Sequence, residues 1–425
     1  MRYSIAYPSV RRLPTFNEMN RILSILTALM TALAITGCSD DSGDMPEPAP
    51  EPAATVERAV LVYMTAHNNL GYQNPQDGDS RHFDERDLAE MTEAARAGAL
   101  GANRLLVLHS PWEGETALKE VTPEGFQTLK SYGKALNTTQ SAAMERVIAD
   151  FKALAPAHAY GLILWGHGSG WLEDGQEKAP RKRSYGGYQT ATGTHTWMNT
   201  TTLADVLEGK GFDYLYFDCC FMAGVEVAYE LRHAVETIVG SSSELPSEGM
   251  PYHKTLPYLM ADNPDLPKAA AVTFSHFDAM PGYDRTCTIS VIRTAALDAL
   301  AEAVGNAWLS ATAVPSASAV QQFVSPNDYT YRYRYFDLLH AVESAATPEA
   351  AAAVSAAVDA AVVYRAATPY LWEKDADHPW DYYQVKIDRH CGLTTYIPSS
   401  QADFDTYGYS QLEWATDVAS KLFNK

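Results

Sequence analysis

YLYFDCCFMAGVEVAYEL (Tyr214–Leu231) opens as a short apolar, β-rich run and breaks at a pair of cysteines. Fifty-three residues before Cys220, the run YGLILWGHGSGW (Tyr160–Trp171) breaks in the same way at His167. Strands that are apolar on both faces mark a buried parallel sheet, and open α/β sheets hold their ligands at the carboxyl edge. Two such runs ending in Cys220 and His167 bring a thiol and an imidazole to one edge, the pairing of a hydrolase with a cysteine nucleophile. Alone, each residue says little: a Cys in an apolar stretch is commonly inert core, and a His among glycines is commonly a turn residue. The context adds weight, because Gly166, Gly168 and Gly170 leave backbone open to a substrate. Ala223 and Gly224 open the helix after the cysteines, where a thiolate gains from helix-end N–H groups. Adjacent Cys219 and Cys220 point to opposite faces if extended, so one can be packed while the other faces the cleft.

Working outward, the order is strand, helix, strand throughout the first half. Val60–Met64, Arg104–His109, Tyr160–Trp165, Tyr214–Phe217 and Thr237–Gly240 read as strands. Between them Glu85–Arg96, Thr139–Leu154, Thr201–Lys210 and Gly224–His233 read as helices, and Leu118–Lys130 as a hairpin. Alternation of this kind predicts an α/β fold with a mostly parallel sheet, helices on both faces and right-handed crossovers. Beyond Pro251 the pattern turns to Ala-rich helices, Thr294–Ala311 and Pro348–Ala366, with strand-like Cys287–Ile292 and Gly392–Ile397. These predict a helical and mixed C-terminal part packed on the core. The expected division is a signal peptide over 1–37, a tether over 38–57, a catalytic core over 58–260 and the C-terminal part over 261–425.

The motifs WGHGSGW and FDCCFMAGVEVAYEL, with SSSELPSEGMPY (Ser241–Tyr252) and HCGLTTYIP (His390–Pro398), resemble the clostripain-like cysteine peptidases. The likeness runs from about Ala59 to the end of the chain. It implies a caspase-like αβα sandwich and a Cys/His dyad without a third member. The family pattern Asp-x-Cys-x-Met is met by Asp218, Cys220 and Met222, which makes Cys220 the nucleophile and Cys219 the intervening residue. By the same resemblance the backbone N–H groups of Gly168 and Cys220 form the oxyanion hole, and the substrate carries Arg or Lys before the scissile bond. A carboxylate must then line the pocket. Asp218 matches the family's pocket residue, although an Asp at a strand-to-helix turn can equally be a helix cap. Glu248 falls nearest the second acidic position, usually Asp in the family, with Glu244 close behind. In VLVYMTAHNNL (Val60–Leu70), His67 stands where the family usually has Asp. The basic run Arg181, Lys182 and Arg183, in the polar segment between the two motifs, reads as solvated surface and also as a site where such an enzyme would cut itself.

The rest of the sequence bounds the setting. Met19–Cys38 reads as a secretory signal with an apolar centre too short to span a bilayer. Met19 serves as a conventional start by itself. Ile35-Thr36-Gly37-Cys38 resembles a lipobox, with Cys38 as the lipidated residue, and the Pro-, Ala- and acid-rich segment after it predicts an extended tether. The expected location is the bacterial cell envelope, as an outer-membrane lipoprotein leaning to the cell surface, with periplasmic retention as the alternative. The formal charge is −20, or −23 once Met1–Gly37 is removed, which excludes nucleic acid as a natural partner. The expected partners are peptides or proteins bearing basic residues, and the membrane only through the anchor. Five cysteines in 425 residues make no disulfide framework. No Cys-x-x-Cys or His-Glu-x-x-His motif calls for a metal, and no oxygen-ligand loop calls for calcium, although some relatives use it. The expected cofactor is therefore none. Two other readings stay open: a surface-tethered binding protein that keeps the fold without activity, and a dyad peptidase that cuts after a non-basic residue or passes its acyl group to an amine.

Overall fold

The computed structural model of the chain describes residues 55–72, 82–172, 184–327, 334–374, 382–404, 406 and 408–423. The expected signal peptide, Cys38 and Arg181 to Arg183 lie outside these residues. In chain order the strands are β1 (Val56–Thr65), β2 (Arg104–Ser110), β3 (Thr116–Thr122), β4 (Gly125–Gly133), β5 (Ala157–Trp165), β6 (His167–Gly168), β7 (Tyr185–Gln189) and β8 (His195–Met198). They continue as β9 (Phe212–Asp218), β10 (Val235–Gly240), β11 (Thr288–Arg293), β12 (Phe336–Asp337), β13 (Val362–Ala367), β14 (Tyr370–Lys374), β15 (Tyr382–Lys386) and β16 (Thr394–Thr395).

Nine of them form one sheet in the order β13-β11-β10-β9-β5-β1-β2-β3-β4. The central strands β10, β9, β5, β1 and β2 are parallel, and antiparallel pairs close both edges. The alternation along each central strand serves two cores. On β1, Ala59, Leu61 and Tyr63 face one core with Leu162, Leu164, Leu215 and Phe217, while Val60, Val62 and Met64 face the other with Ile163, Trp165, Tyr214 and Tyr216. The helices Ser141–Leu154, Thr200–Leu207 and Leu297–Ser310 cover the first face, and Phe83–Arg96, Tyr252–Leu259 and Leu266–Asp278 the second. A strand buried on both sides has no polar face, which is why these segments read as continuous apolar runs.

Pro348–Ala366 is not one helix: it stops at Ala361, and Val362–Ala367 is the edge strand β13, paired with β11. The β-branched pair Val362-Val363 followed by Tyr364 favours an extended backbone over a helical one. The part beyond 260 packs on the core: β11 and β13 continue the main sheet, and Leu297–Ser310 and Pro348–Ala361 pack against one of its faces.

The segment expected as a strand over Gly392–Ile397 forms only the short β16, and its role is to brace the turn after the cysteines. Thr394 N–H donates to Ala223 O at 3.0 Å. The fully buried Glu226 Oε1 accepts from Tyr396 N–H at 2.7 Å and from the hydroxyls of Thr395 at 2.9 Å and Tyr409 at 3.4 Å. Burial pushes the Glu226 carboxyl up to about 7 from its ordinary value of 4.5, against those three donors. A folded-state value above the unfolded one stabilises the fold fully below pH 4.5, and that stabilisation is lost as the pH rises through about 7. Glu226→Gln removes the ionisation, so its melting temperature relative to the natural protein is expected to rise between pH 5 and pH 8. The span corresponds to up to about 3 kcal/mol, read by thermal denaturation at the two pH values.

Candidate active site

Trp165 on β5 and Asp218 on β9 are paired in register at the carboxyl edge of the sheet. His167 and Cys220 each follow two residues later, so the parallel register delivers both to the same level. They line one cleft of about 190 Å³, together with Leu70, Asp218, Glu244 and Leu245.

The glycines of WGHGSGW let the two turns touch. A Cβ on Gly168 would stand 2.6 Å from Cys220 O and 2.9 Å from Cys219 Cβ, and one on Gly170 would stand 2.8 Å from Phe221 O. Next to the nucleophile candidate, Phe221 has φ = 63°, the one left-handed non-glycine residue among those described. Such a conformation costs on the order of 1–3 kcal/mol and persists only where surrounding contacts enforce it. Here they do: Phe221 N–H donates to Ser243 O at 3.0 Å and Ala223 N–H to Ser241 O at 2.8 Å. The Phe221 ring stacks on Tyr335 at 4.2 Å, and Tyr335 OH donates to Ser169 O at 2.7 Å, tying the Cys turn to the His turn.

The two cysteines separate, although they lie in the turn just past the end of β9 and not in an extended strand. Cys219 is buried in the core, its thiol donates to Leu164 O at 3.1 Å, and burial pushes its thiol well up. Cys220 faces the cleft, where Leu245 N–H points at its Sγ from 3.4 Å.

His167 has a neighbour that the sequence did not single out. Its Nε2 lies 2.7 Å from Asn69 Oδ1. With the amide oxygen as acceptor, Nε2–H donates, and Nδ1 is the ring nitrogen left to take a proton. The adjacent Asn68 builds the turn that presents Asn69. It is buried, its Nδ2 donates to Thr65 O at 2.9 Å, and its Oδ1 accepts from Leu70 N–H at 2.8 Å. The only signal in the sequence was the Asn-Asn pair after a strand, a common turn pattern. His67 has a packing role instead: its ring lies between Trp112 and Tyr188, with centroids 5.0 and 4.7 Å away, and its Nδ1 is 2.9 Å from Pro111 O.

Asp218 is buried at the cleft wall. Met250 N–H donates to Oδ1 at 2.9 Å and Tyr252 OH to Oδ2 at 3.1 Å. Burial raises its carboxyl to about 6 against those two donors, with a further push from Glu90. The helix-cap alternative does not describe it, since both partners lie in the 250–252 stretch. Gly249 is left-handed at φ = 67°, and a Cβ there would stand 2.9 Å from Asp218 Oδ2, so this glycine lets the loop close on the carboxylate. The two glutamates part company: Glu244 lines the cleft, whereas Glu248 is turned toward Arg86, 3.9 Å away. Among the described residues no cluster of three or more His, Cys, Asp or Glu side chains is placed to hold a metal ion.

The sequence model of the clostripain family of peptidases matches residues 62–421. An inactive zymogen C11 protease from Parabacteroides distasonis superposes with a TM-score of 0.70 at 24% identity, over 86% of this chain and 99% of that one. A secreted C11 cysteine protease from Bacteroides thetaiotaomicron, iotapain, gives 0.71 at 22% identity over the same shares. A secreted C11 cysteine protease from that organism, in complex with an irreversible peptide inhibitor, gives 0.70 at 24%, over 85% of this chain and 99% of that one. At these identities the likeness speaks for the fold. No curated protein matches the chain.

Proposed function

The chain is a cysteine peptidase of the clostripain family, and from that premise we propose that Cys220 is its nucleophile and His167 its base, in an endopeptidase that cuts after Arg or Lys. The observation that carries this reading is the shared cleft: sulfur, imidazole and a buried carboxylate line one cavity at the carboxyl edge of the sheet. Asn69 holds the proton on Nε2, and Nδ1 takes the proton of Cys220. The thiolate attacks the scissile carbonyl, the leaving amine receives a proton from the imidazole, and water releases the acyl group. The N–H groups of Gly168 and Cys220 serve as the oxyanion donors, supported by the place of these residues in the two family motifs and by both turns lining the cleft. Asp218, with Glu244 at the cleft wall, supplies negative charge for a basic side chain. The lipobox reading places the enzyme at the cell envelope on a lipidated Cys38, and the basic run places self-cleavage after Arg181, Lys182 or Arg183.

Fluorogenic peptides ending in Arg, Lys, Gln or Asp test the specificity. Release from Arg or Lys that iodoacetamide abolishes is expected, and release from Gln or Asp at an equal rate would sink it. Asn69→Ala is expected to lower kcat about tenfold with little change in KM, by freeing the imidazole to turn and to exchange tautomers. A steady-state comparison of the two proteins on an Arg peptide decides it, and a KM effect without a kcat effect would contradict the role.

A further inference from the structure

The imidazole of His167 has a second neighbour besides Asn69, the indole of Trp197. In the small sheet β6-β7-β8, His167 is in register with Gly186, and Gly186 with Trp197. The register shifts between Gly186 and Tyr188, which makes Gly187 the extra residue of a bulge. Two glycines, with no side chains of their own, therefore separate the two rings. The ring centroids lie 6.1 Å apart with planes inclined at 52°, a separation at which aromatic rings interact.

The fit is close. Gly187 is left-handed at φ = 76°, and a Cβ there would stand 2.6 Å from Trp197 Cη2, 2.9 Å from Trp197 Cζ3 and 3.2 Å from His167 Cδ2. Indole and imidazole thus converge on the bare face of one residue, and a glycine there leaves room for both. The strand that carries Trp197 is pinned on either side of it. Thr196 Oγ1 accepts from Asn137 Nδ2 at 2.9 Å and lies 2.8 Å from Thr139 Oγ1, and Met198 is buried in the core. The turn that carries Asn69 is tied to the same hairpin, because Asn68 Nδ2 donates to Gly186 O at 3.2 Å.

One hydrogen bond fixes a point on a ring and not its plane. Asn69 holds Nε2 at 2.7 Å, so the imidazole is free to swing about that end unless a second contact stops it. The half-buried indole supplies that contact from the hairpin. We propose that Trp197 is a positioning residue: packed over Gly187, it fixes the plane of the His167 ring and so keeps the imidazole oriented toward Cys220. The proposal rests on the catalytic reading of Cys220 and His167.

The rate at which a peptidyl-arginine chloromethyl ketone labels Cys220 tests it, measured in the natural protein, Trp197→Ala, His167→Ala and the double variant. An indole that acts through the imidazole matters only while the imidazole is present. Trp197→Ala is therefore expected to label on the order of tenfold more slowly than the natural protein, and the double variant within about twofold of His167→Ala. Trp197→Phe keeps a flat ring and is expected to label within about threefold of the natural rate. On an Arg aminocoumarin amide, Trp197→Ala is expected to lose kcat with KM unchanged. If Trp197→Ala does not melt cooperatively, Trp197→Leu, which keeps apolar bulk without the ring, takes its place with the same expectations. An unchanged labelling rate in the single variant, or an equal loss with and without His167, overturns the positioning role and leaves the catalytic reading standing. If His167→Ala labels Cys220 as fast as the natural protein, the catalytic reading falls and takes the proposal with it.

Discussion

Gly168→Ala is expected to lower kcat/KM on an Arg substrate by at least about 100-fold. The added methyl would meet a backbone oxygen at 2.6 Å and the Cβ of a buried residue at 2.9 Å, and neither is the far end of a flexible side chain. The Cys turn must therefore move relative to the His turn, and a displacement near ~1 Å at a reacting centre is enough for that loss. The N–H of residue 168 survives the substitution, so the effect reports geometry and not the removal of a donor. Gly98→Ala is the control for backbone strain: Gly98 is left-handed at φ = 80° with nothing within 4 Å of the added atom. It is expected to cost about 1 kcal/mol of stability with kcat/KM unchanged. Steady-state kinetics and thermal unfolding on both proteins distinguish the two effects.

Asp218→Asn keeps the shape of the pocket and removes its charge. A basic side chain then loses its buried counter-ion, and kcat/KM for Arg is expected to fall on the order of 100- to 1000-fold. The pH dependence follows from the carboxyl being raised to about 6 from 3.8. Above about 6 the group is charged and, in the proposed role, would pair with a basic side chain; below it the group is neutral, so kcat/KM on basic substrates is expected to fall up to about tenfold per pH unit on the acid side. The Asn variant is expected to lose this limb. For stability the sign is opposite: a raised folded-state value stabilises fully below pH 3.8 and is lost as the pH rises through about 6. The protein is thus least favoured by this residue in the range where the pocket is charged, a cost carried at a functional site.

Much of the sheet was legible because parallel strands buried on both faces must be apolar throughout. β1, β2, β5, β9 and β10 all showed as such runs, and the residues that break them are the ones at the carboxyl edge. The sequence led to a separation of Cys219 from Cys220 by strand alternation, whereas in the structure the pair lies just past the end of β9, in the turn that sends Cys219 into the core and Cys220 to the cleft. Other features rest on tertiary contacts that leave no local pattern. Phe221 carries no glycine to announce its left-handed backbone; the stacking on Tyr335, more than a hundred residues away, holds it. Asn69 is an exposed turn residue whose contact with the imidazole leaves no local pattern. The positions of Glu244 and Glu248 depend on the path of one loop around Gly249 and on Arg86 from another element. β13 was hidden because an Ala-rich helix runs directly into it. The polar segment after Trp171 contributes β7, which pairs with the His167 strand, and β8, which pairs with β7, and a Cβ on Gly187 would stand 3.2 Å from the imidazole Cδ2.

The central claim is that the sulfur at Cys220 and the imidazole at His167 react as a pair in one cleft. A peptidyl-arginine chloromethyl ketone, followed by intact mass and peptide mapping, tests it most directly. One adduct on Cys220 is expected, absent in Cys220→Ala and formed on the order of 100-fold more slowly in His167→Ala. An adduct on Cys219, Cys287 or Cys391 instead, or a labelling rate unaffected by the loss of His167 in a folded protein, would contradict the account.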